Sequence, residues 1–130
     1  MTQQPTPPAD VWAAIDDLWT WLEDRRTHDG DTGLVLRMLK LTEEVGEVAQ
    51  AVIGATGQNP RKGVSHTWDD VRGELCDVVI TALVALRSLT PDPREVFERH
   101  LAGVTARSLG PSADGGLPER PASRPADPAP

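Results

Sequence analysis

The sequence lacks several residue types that particular classes of protein need. Its 130 residues include one cysteine, Cys76, so no internal disulfide can form, which suits a reducing cytoplasm. Tyrosine is absent and phenylalanine occurs once, which argues against a large β-sandwich. No apolar run approaches the length of a membrane span, and the N-terminus lacks the basic and apolar regions of a signal peptide. We therefore expect a cytoplasmic protein that does not interact with membranes.

Positive charge is also scarce. Lys and Arg number 13 against 20 Asp and Glu, which gives a formal net charge of -7. An acidic chain is a poor partner for nucleic-acid backbones, so we expect no nucleic-acid binding. A protein of this charge that handles phosphates needs cations to mediate the contact.

What the sequence does contain is helical periodicity. It predicts an all-α fold, a four-helix bundle in which helices two and three are antiparallel. We predict a flexible N-terminus over residues 1–9, one all-α domain over 10–109 and a disordered Pro-rich tail over 110–130. The predicted helices span 11–27, 34–55, 68–89 and 93–108, with a loop over 28–33.

The helix ends carry specific signals. Asp10 is a plausible N-cap, Thr67 and Asp70 resemble a capping box, and Pro93 suits a first helical position. Gly54 and Gly57 are predicted to end helix two. Helices two and three each carry an apolar row with steps of three and four residues, at 34, 38, 41, 45, 48, 52 and at 71, 75, 78, 82, 85, 89. Rows this apolar often continue into a partner chain, so we expect an oligomer.

Two carboxylate pairs interrupt these apolar helices. Glu44 and Glu47 are three residues apart on helix two, and Glu74 and Asp77 are three apart on helix three. Residues at this spacing share a helix face. In an antiparallel hairpin with its midpoint near Pro60, the two pairs lie at the same level. The four carboxylates are therefore predicted to form one cluster at the edge of the helix contact.

Clustered carboxylates repel each other unless a cation neutralises them. Oxygen ligands without Cys or a placed His favour Mg²⁺, Mn²⁺ or Ca²⁺. Mg²⁺ commonly binds through carboxylates plus substrate phosphates, which indicates chemistry on a phosphate ester or phosphoanhydride. A single such pair is usually a solvated surface feature, and it is the matched levels of two pairs that favour a site.

The same residues carry a family resemblance. Glu43-Glu44-Val45-Gly46-Glu47 and Glu74-Leu75-Cys76-Asp77 resemble the two acidic motifs of MazG-like nucleoside triphosphate pyrophosphohydrolases, in the all-α NTP pyrophosphatase superfamily. The resemblance covers about residues 11–108. It implies a homodimer or homotetramer that cleaves an NTP or dNTP between the α and β phosphates, giving a nucleoside monophosphate and pyrophosphate. The implied cofactor is Mg²⁺, with Mn²⁺ as the alternative.

The resemblance also implies residue roles. Glu44, Glu47, Glu74 and Asp77 match the metal ligands. Glu43 matches an additional acidic residue that holds a second ion or the attacking water. The catalytic set is thus Glu43, Glu44 and Glu47.

Candidate phosphate contacts are fewer than in the family pattern. Lys40 lies one turn before Glu44 and could touch a phosphate or form an ordinary surface ion pair with it. Arg107 could reach a phosphate from helix four. Asp70 stands where family members often carry a basic residue. Lys62, in the loop between helices two and three, is predicted to be a solvated charge.

Aromatic and imidazole side chains are candidates for contact with the nucleobase. Trp21 and His28 are the residues we assign to substrate binding, since aromatic faces stack on any base. Trp19 is predicted to serve packing instead. Cys76 is predicted to be a small buried side chain.

Two other functions remain open. The chain could be a regulatory bundle that binds metal and nucleotide without cleaving it, or a purely structural helical oligomer. Stabilisation by Mg²⁺ separates the structural reading from the other two.

Overall fold

A computed structural model describes residues 4–110 of the chain. These residues form helices and no strands: α1 (Val11–Glu23), α2 (Gly30–Thr56), α3 (Trp68–Leu89) and α4 (Pro93–Leu109). The all-α, four-helix prediction is thereby confirmed. The tail predicted beyond position 110 lies outside the described residues. Within the described part of the chain, every helix is too short or too polar to cross a membrane.

The helices belong to two compact units. The first ends at Glu95 and contains α1 to α3, and the second begins at Val96 with the rest of α4. In the first unit, α3 packs against both α2 and α1. Arg37 near the start of α2 bonds Ser88 near the end of α3, whereas Gly54 near the end of α2 accepts from Ser65 just before α3. The α2–α3 hairpin is therefore antiparallel, as predicted.

The buried core is small. The buried apolar residues of the described chain are Ile15, Ala51, Val71, Val84 and Ala85. No Leu, Met, Phe or Trp of the described chain is among them.

The contact face of α2 differs from the predicted apolar row. Val45, which belongs to that row, is exposed, whereas Glu44, Ala51 and Gly54 are buried. The contact face of α2 is centred on small residues because Ala51 and Gly54 let the neighbouring backbone approach closely. Glu44 was predicted at the edge of the contact and instead lies inside it.

Most of the predicted helix ends are confirmed. The Asp10 side chain accepts from the Trp12 backbone N–H, and Thr67 and Asp70 exchange both bonds of a capping box. Gly57 ends α2 in the left-handed conformation at φ 64°. Gly54 does not end the helix. It lies inside the last turns of α2, where a Cβ would lie 2.1 Å from His66 Nδ1.

The α1–α2 connection has the predicted length but lies four residues earlier in the chain, over 24–29 rather than 28–33. α1 ends at Glu23 rather than near position 27, and α2 begins at Gly30 within the predicted loop. Arg26 pairs with Glu23 and with Asp29, each at 2.9 Å, and so ties the turn between the two helices. Long-side-chain ion pairs of this kind leave no periodic signal in the sequence.

Candidate metal centre

The hairpin brings three carboxylates together. Glu44 from α2 and Glu74 and Asp77 from α3 each offer an oxygen, and these oxygens lie within 4.8 Å of one another. The proximity follows from the antiparallel register, because the two acidic motifs are equally far from the turn. We refer to Glu44, Glu74 and Asp77 as the carboxylate cluster.

Glu44 is the unusual member of the cluster. Only 8% of its surface is exposed, and it is the one buried charged residue in the described part of the chain. A buried carboxylate is costly unless it is paired. Lys40 Nζ lies 2.9 Å from Glu44 Oε1 and 2.9 Å from Glu43 Oε2. These two contacts, Glu44 first, raise the pKa of Lys40 above its ordinary value.

One lysine does not neutralise this region. Glu47, one turn beyond Glu44, lies outside the carboxylate cluster but is close enough for the negative charge of the cluster to act on it. The carboxylate of Glu44, then desolvation and the carboxylate of Glu74, raise the pKa of Glu47 above its ordinary value. The negative potential at Glu47 therefore comes from both helices.

The donor set fits a hard divalent cation. Oxygen ligands bind Mg²⁺ at about 2.1 Å and Ca²⁺ at about 2.3–2.6 Å, so one ion spans oxygens about 3–5 Å apart. The cluster offers carboxylate oxygens alone, without imidazole or thiolate, which disfavours zinc and iron. Cys76 lies between Glu74 and Asp77 in sequence, but its side chain is exposed rather than buried as predicted.

A cavity of about 410 Å³ lies beside this hairpin, between the end of α1, the start of α2 and the end of α3. We call it the tryptophan cavity. Its walls include Trp19, Glu23, His28, Leu36, Arg37 and Ser88. The volume is in the range of small-molecule sites.

Ion pairs and stacking hold the cavity walls in place. Arg37 donates to Ser88 Oγ and pairs with Glu23 Oε1, each at 2.9 Å, so it joins α2 to both neighbours. The guanidinium of Arg87 lies 3.8 Å from the centre of the Trp19 ring. The indole N–H of Trp19 is buried and has no hydrogen-bond partner among the described residues. Such an unsatisfied donor costs about 1–3 kcal/mol.

One face of α2 connects the cavity with the carboxylates. Residues at steps of four and three fall on a single row along a helix. The row runs through Leu36, Lys40, Glu43, Glu47, Gln50 and Gly54. It begins at a wall of the tryptophan cavity and passes the acidic residues on its way to the hairpin tip.

The predicted substrate-binding residues have different surroundings. Lys40 lies at the carboxylates, and His28 lines the tryptophan cavity, where its Nδ1 is 3.0 Å from Thr27 Oγ1. Trp21 is half exposed, lies under the guanidinium of Arg25 at 4.6 Å and is not among the cavity walls. Arg107 belongs to the second unit, and its side chain runs back along α4 toward Gly103.

Sequence reasoning missed the cavity walls. Trp19 was assigned to packing, yet it both packs and lines the cavity. Arg37 was not singled out, although only 16% of its side chain is exposed and it bonds to both neighbouring helices. Its spacing was the available signal, because Arg37 precedes Lys40 by three residues and Glu44 by seven and so lies on the same side of α2.

Comparison of the chain with family models, curated proteins and solved structures finds no match.

The cluster makes a direct prediction for cation binding. Mg²⁺ should raise the melting temperature of the wild-type chain, because a ligand that binds the folded state stabilises it. Asp77→Asn should melt at a higher temperature than wild type without Mg²⁺, since it relieves repulsion, and should lose most of the Mg²⁺ effect. Differential scanning calorimetry with and without Mg²⁺ measures both. Asp17→Asn, which removes an exposed carboxylate of α1, is the control. Equal Mg²⁺ effects in all three proteins would rule out the cluster as the binding site.

Proposed function

We propose that the chain is a Mg²⁺-dependent nucleotide pyrophosphohydrolase, which cleaves an NTP or dNTP between the α and β phosphates. The observation that carries the proposal is the buried Glu44, held within 4.8 Å of Glu74 and Asp77 oxygens on the facing helix. Burying a carboxylate beside two others opposes folding, because like charges repel. A bound cation would offset this repulsion. The reaction itself is inferred from the resemblance of the two acidic motifs.

Glu44, Glu74 and Asp77 are the residues that would hold the metal. When bound, Mg²⁺ neutralises phosphate charge and lowers the pKa of a coordinated water. The carboxylates of the chain supply the coordination and leave positions open for water and phosphate oxygens.

Glu47 is suited to accept a proton. It lies one turn beyond Glu44 and is not one of the three proposed metal ligands, so its carboxylate can take a proton from water. The oxygen of water attacks the α phosphorus, the bond from that phosphorus to the bridging oxygen breaks, and pyrophosphate leaves with the electron pair. The proton of the water passes to the carboxylate. Positioning and electrostatics carry most of such a reaction, so a covalent nucleophile is unnecessary.

Lys40 and Glu43 lie beside this step. Lys40 bonds both Glu43 and Glu44, so it fixes the orientation of the acidic motif before substrate enters. Its ammonium group is also the nearest described cation to the cluster. Glu43 is exposed and pairs with Lys40, and we assign to it the orientation of a water or of a second ion.

The tryptophan cavity suits the nucleoside. Arg37 in its wall precedes Glu44 by seven residues, which corresponds to about 10.5 Å along α2. This separation is similar to the length of a nucleotide from its α phosphate to the far edge of its base. Trp19 and His28 supply flat rings among the cavity walls.

A second function is favoured by the shortage of cations. Asp70 occupies a position where the resembled family often has a basic residue, and it caps α3 by bonding Thr67. Lys40 is already committed to two carboxylates. A bundle of this kind could bind a metal and a nucleotide and regulate a partner without cleaving the anhydride.

Pyrophosphate release separates these two functions. Incubation with Mg²⁺ and a panel of canonical and modified NTPs and dNTPs should release pyrophosphate from at least one member. Glu44→Ala and Asp77→Ala should reduce the rate by at least about 100-fold, because each removes a ligand from the proposed site. Asp17→Asn should retain the wild-type rate. Full activity in both alanine variants would refute the assignment, and nucleotide binding without release in wild type would favour the regulatory bundle.

The nucleoside site is tested by the tryptophans. Trp19→Leu should raise the KM for the nucleotide roughly tenfold, since base stacking contributes about 1–3 kcal/mol. If the wild type binds nucleotides without cleaving them, the Kd of a nonhydrolysable nucleotide analogue should rise by the same factor. Trp21→Leu removes a tryptophan of the same helix that lies outside the cavity walls, and it should leave the KM or the Kd unchanged. A larger effect at Trp21 than at Trp19 would place the base elsewhere.

We also propose that two copies of the chain associate through the outer face of the α2–α3 hairpin. On α2 this face carries a row at steps of four and three: Val35, Leu39, Thr42, Gly46, Ala49 and Ile53. On α3 it carries Leu75 and Val79. The exposed fractions of Val35, Leu39, Leu75 and Val79 are 50–57%, and that of Ile53 is 41%.

The composition of this face favours a second helical hairpin as its occupant. Apolar residues repeating at a mean of 3.5 positions form the seam of packed helices, and the small Gly46 and Ala49 at the centre of the row permit close approach. Association would bury apolar surface that the small core of one chain leaves open.

Sedimentation equilibrium checks the association. Wild type should have the mass of a dimer or a dimer of dimers, and Val79→Glu should reduce that mass, since it places a charge in the apolar contact. Val64→Glu is the control, because Val64 is 73% exposed but lies in the α2–α3 connection. A monomeric wild type would refute the proposal, as would equal masses for both variants and wild type.

A further inference from the structure

A second cavity lies at the tip of the α2–α3 hairpin, on the opposite side of the carboxylates from the tryptophan cavity. We propose that this hairpin-tip cavity binds the terminal phosphates of the substrate and so holds the pyrophosphate that leaves. The inference rests on the proposed function, because it assigns a subsite of that reaction.

The chemistry of the cavity walls carries the proposal. The cavity has a volume of about 300 Å³, and its polar walls are Gln50, Asn59, Lys62, Ser65 and His66. These side chains provide an ammonium group, an imidazole, two carboxamides and a hydroxyl. No carboxylate is among the described residues that line it, although Asp and Glu outnumber Lys and Arg by 20 to 13 in the chain. Phosphate oxygens accept hydrogen bonds from Lys ammonium groups and from neutral N–H and O–H groups.

The imidazole at this cavity lies against α2. The Ser65 N–H donates to the Gly54 carbonyl at 3.0 Å, which ties the segment before α3 to the end of α2. The ring of His66 then lies so close to Gly54 that a Cβ there would be 2.1 Å from Nδ1. Ser65 Oγ lies 2.9 Å from the same nitrogen, so Nδ1 has a partner and Nε2 is left for another contact. Any larger residue at position 54 would displace the His66 ring from the cavity wall.

The row on α2 leads from the acidic motif into this cavity. Gln50 follows Glu47, on the same face, by three residues, and it follows the proposed metal ligand Glu44 by six, which correspond to about 4.5 Å and about 9 Å of helix rise. Phosphates bound at the carboxylate cluster can extend along α2 toward Gln50 and Lys62, whose long side chains reach back toward them, while the nucleoside extends the other way. Lys62 was predicted to be a solvated loop charge, but it lines the cavity, whereas the adjacent Arg61 does not.

Inorganic pyrophosphate tests the subsite without turnover. Its affinity for the full chain is measured by isothermal titration calorimetry with Mg²⁺ present, and inorganic phosphate is the second probe. Wild type should bind pyrophosphate more tightly than phosphate. Lys62→Gln should weaken pyrophosphate binding roughly tenfold, since it removes one charge-assisted hydrogen bond. Arg61→Gln removes the same charge from the neighbouring position and should bind as wild type does.

The outcomes separate this inference from the proposed function. Equal pyrophosphate affinity in wild type and Lys62→Gln, or an equal loss in Arg61→Gln, would overturn the subsite even if nucleotides are cleaved. A loss confined to Lys62→Gln supports the subsite even if no nucleotide in the panel is cleaved. The Mg²⁺-induced change in melting temperature of Lys62→Gln should match wild type, which shows that the variant folds and keeps its metal site. Gly54→Ala should also weaken pyrophosphate binding, because its Cβ displaces His66.

Discussion

The close approach of α2 and α3 around three carboxylates is the constraint on which the rest of the structure depends. Two unit charges about 4 Å apart repel by about 4 kcal/mol at an effective dielectric constant of about 20. The small Ala51 and Gly54 let the two helices approach, and Glu44 is buried in the contact they make. Only Lys40 pairs with Glu44 in the described chain, and it is shared with Glu43. A divalent cation bound to the three carboxylates would offset the repulsion between them.

This constraint also organises the surroundings of the cluster. The row that starts at Leu36 and ends at Gly54 places one cavity before the acidic residues and another after them. The first is lined by the rings of Trp19 and His28, and the second has cationic and amide donors. A ligand with an aromatic end and a phosphate end fits this order. The row on α2 from Val35 to Ile53 lies one residue, or about 100°, round the helix and carries no charge, so the proposed ligand site and the proposed contact between copies use different faces.

Much of the fold could be predicted from the sequence, because it depends on local signals. The capping box at Thr67 and the left-handed Gly57 follow from residue type, and equal spacing from the turn was enough to predict that Glu44 and Asp77 meet. Features made by long side chains could not be predicted in this way. The turn tied by Arg26 and the cavity wall built by Arg37 depend on where flexible side chains end. The burial of Glu44 was underestimated because periodicity favours Val45 over small residues as the centre of a contact.

The central claim is that Glu44, Glu74 and Asp77 bind one divalent cation. Anomalous diffraction from crystals grown with Mn²⁺ tests it most directly, because the ion is located without reference to activity. The account predicts an anomalous peak within about 2.5 Å of an oxygen from each of these carboxylates. A cluster without a peak at saturating Mn²⁺, with Lys40 still bonded to Glu44 and the carboxylate oxygens at their present separations, would contradict it.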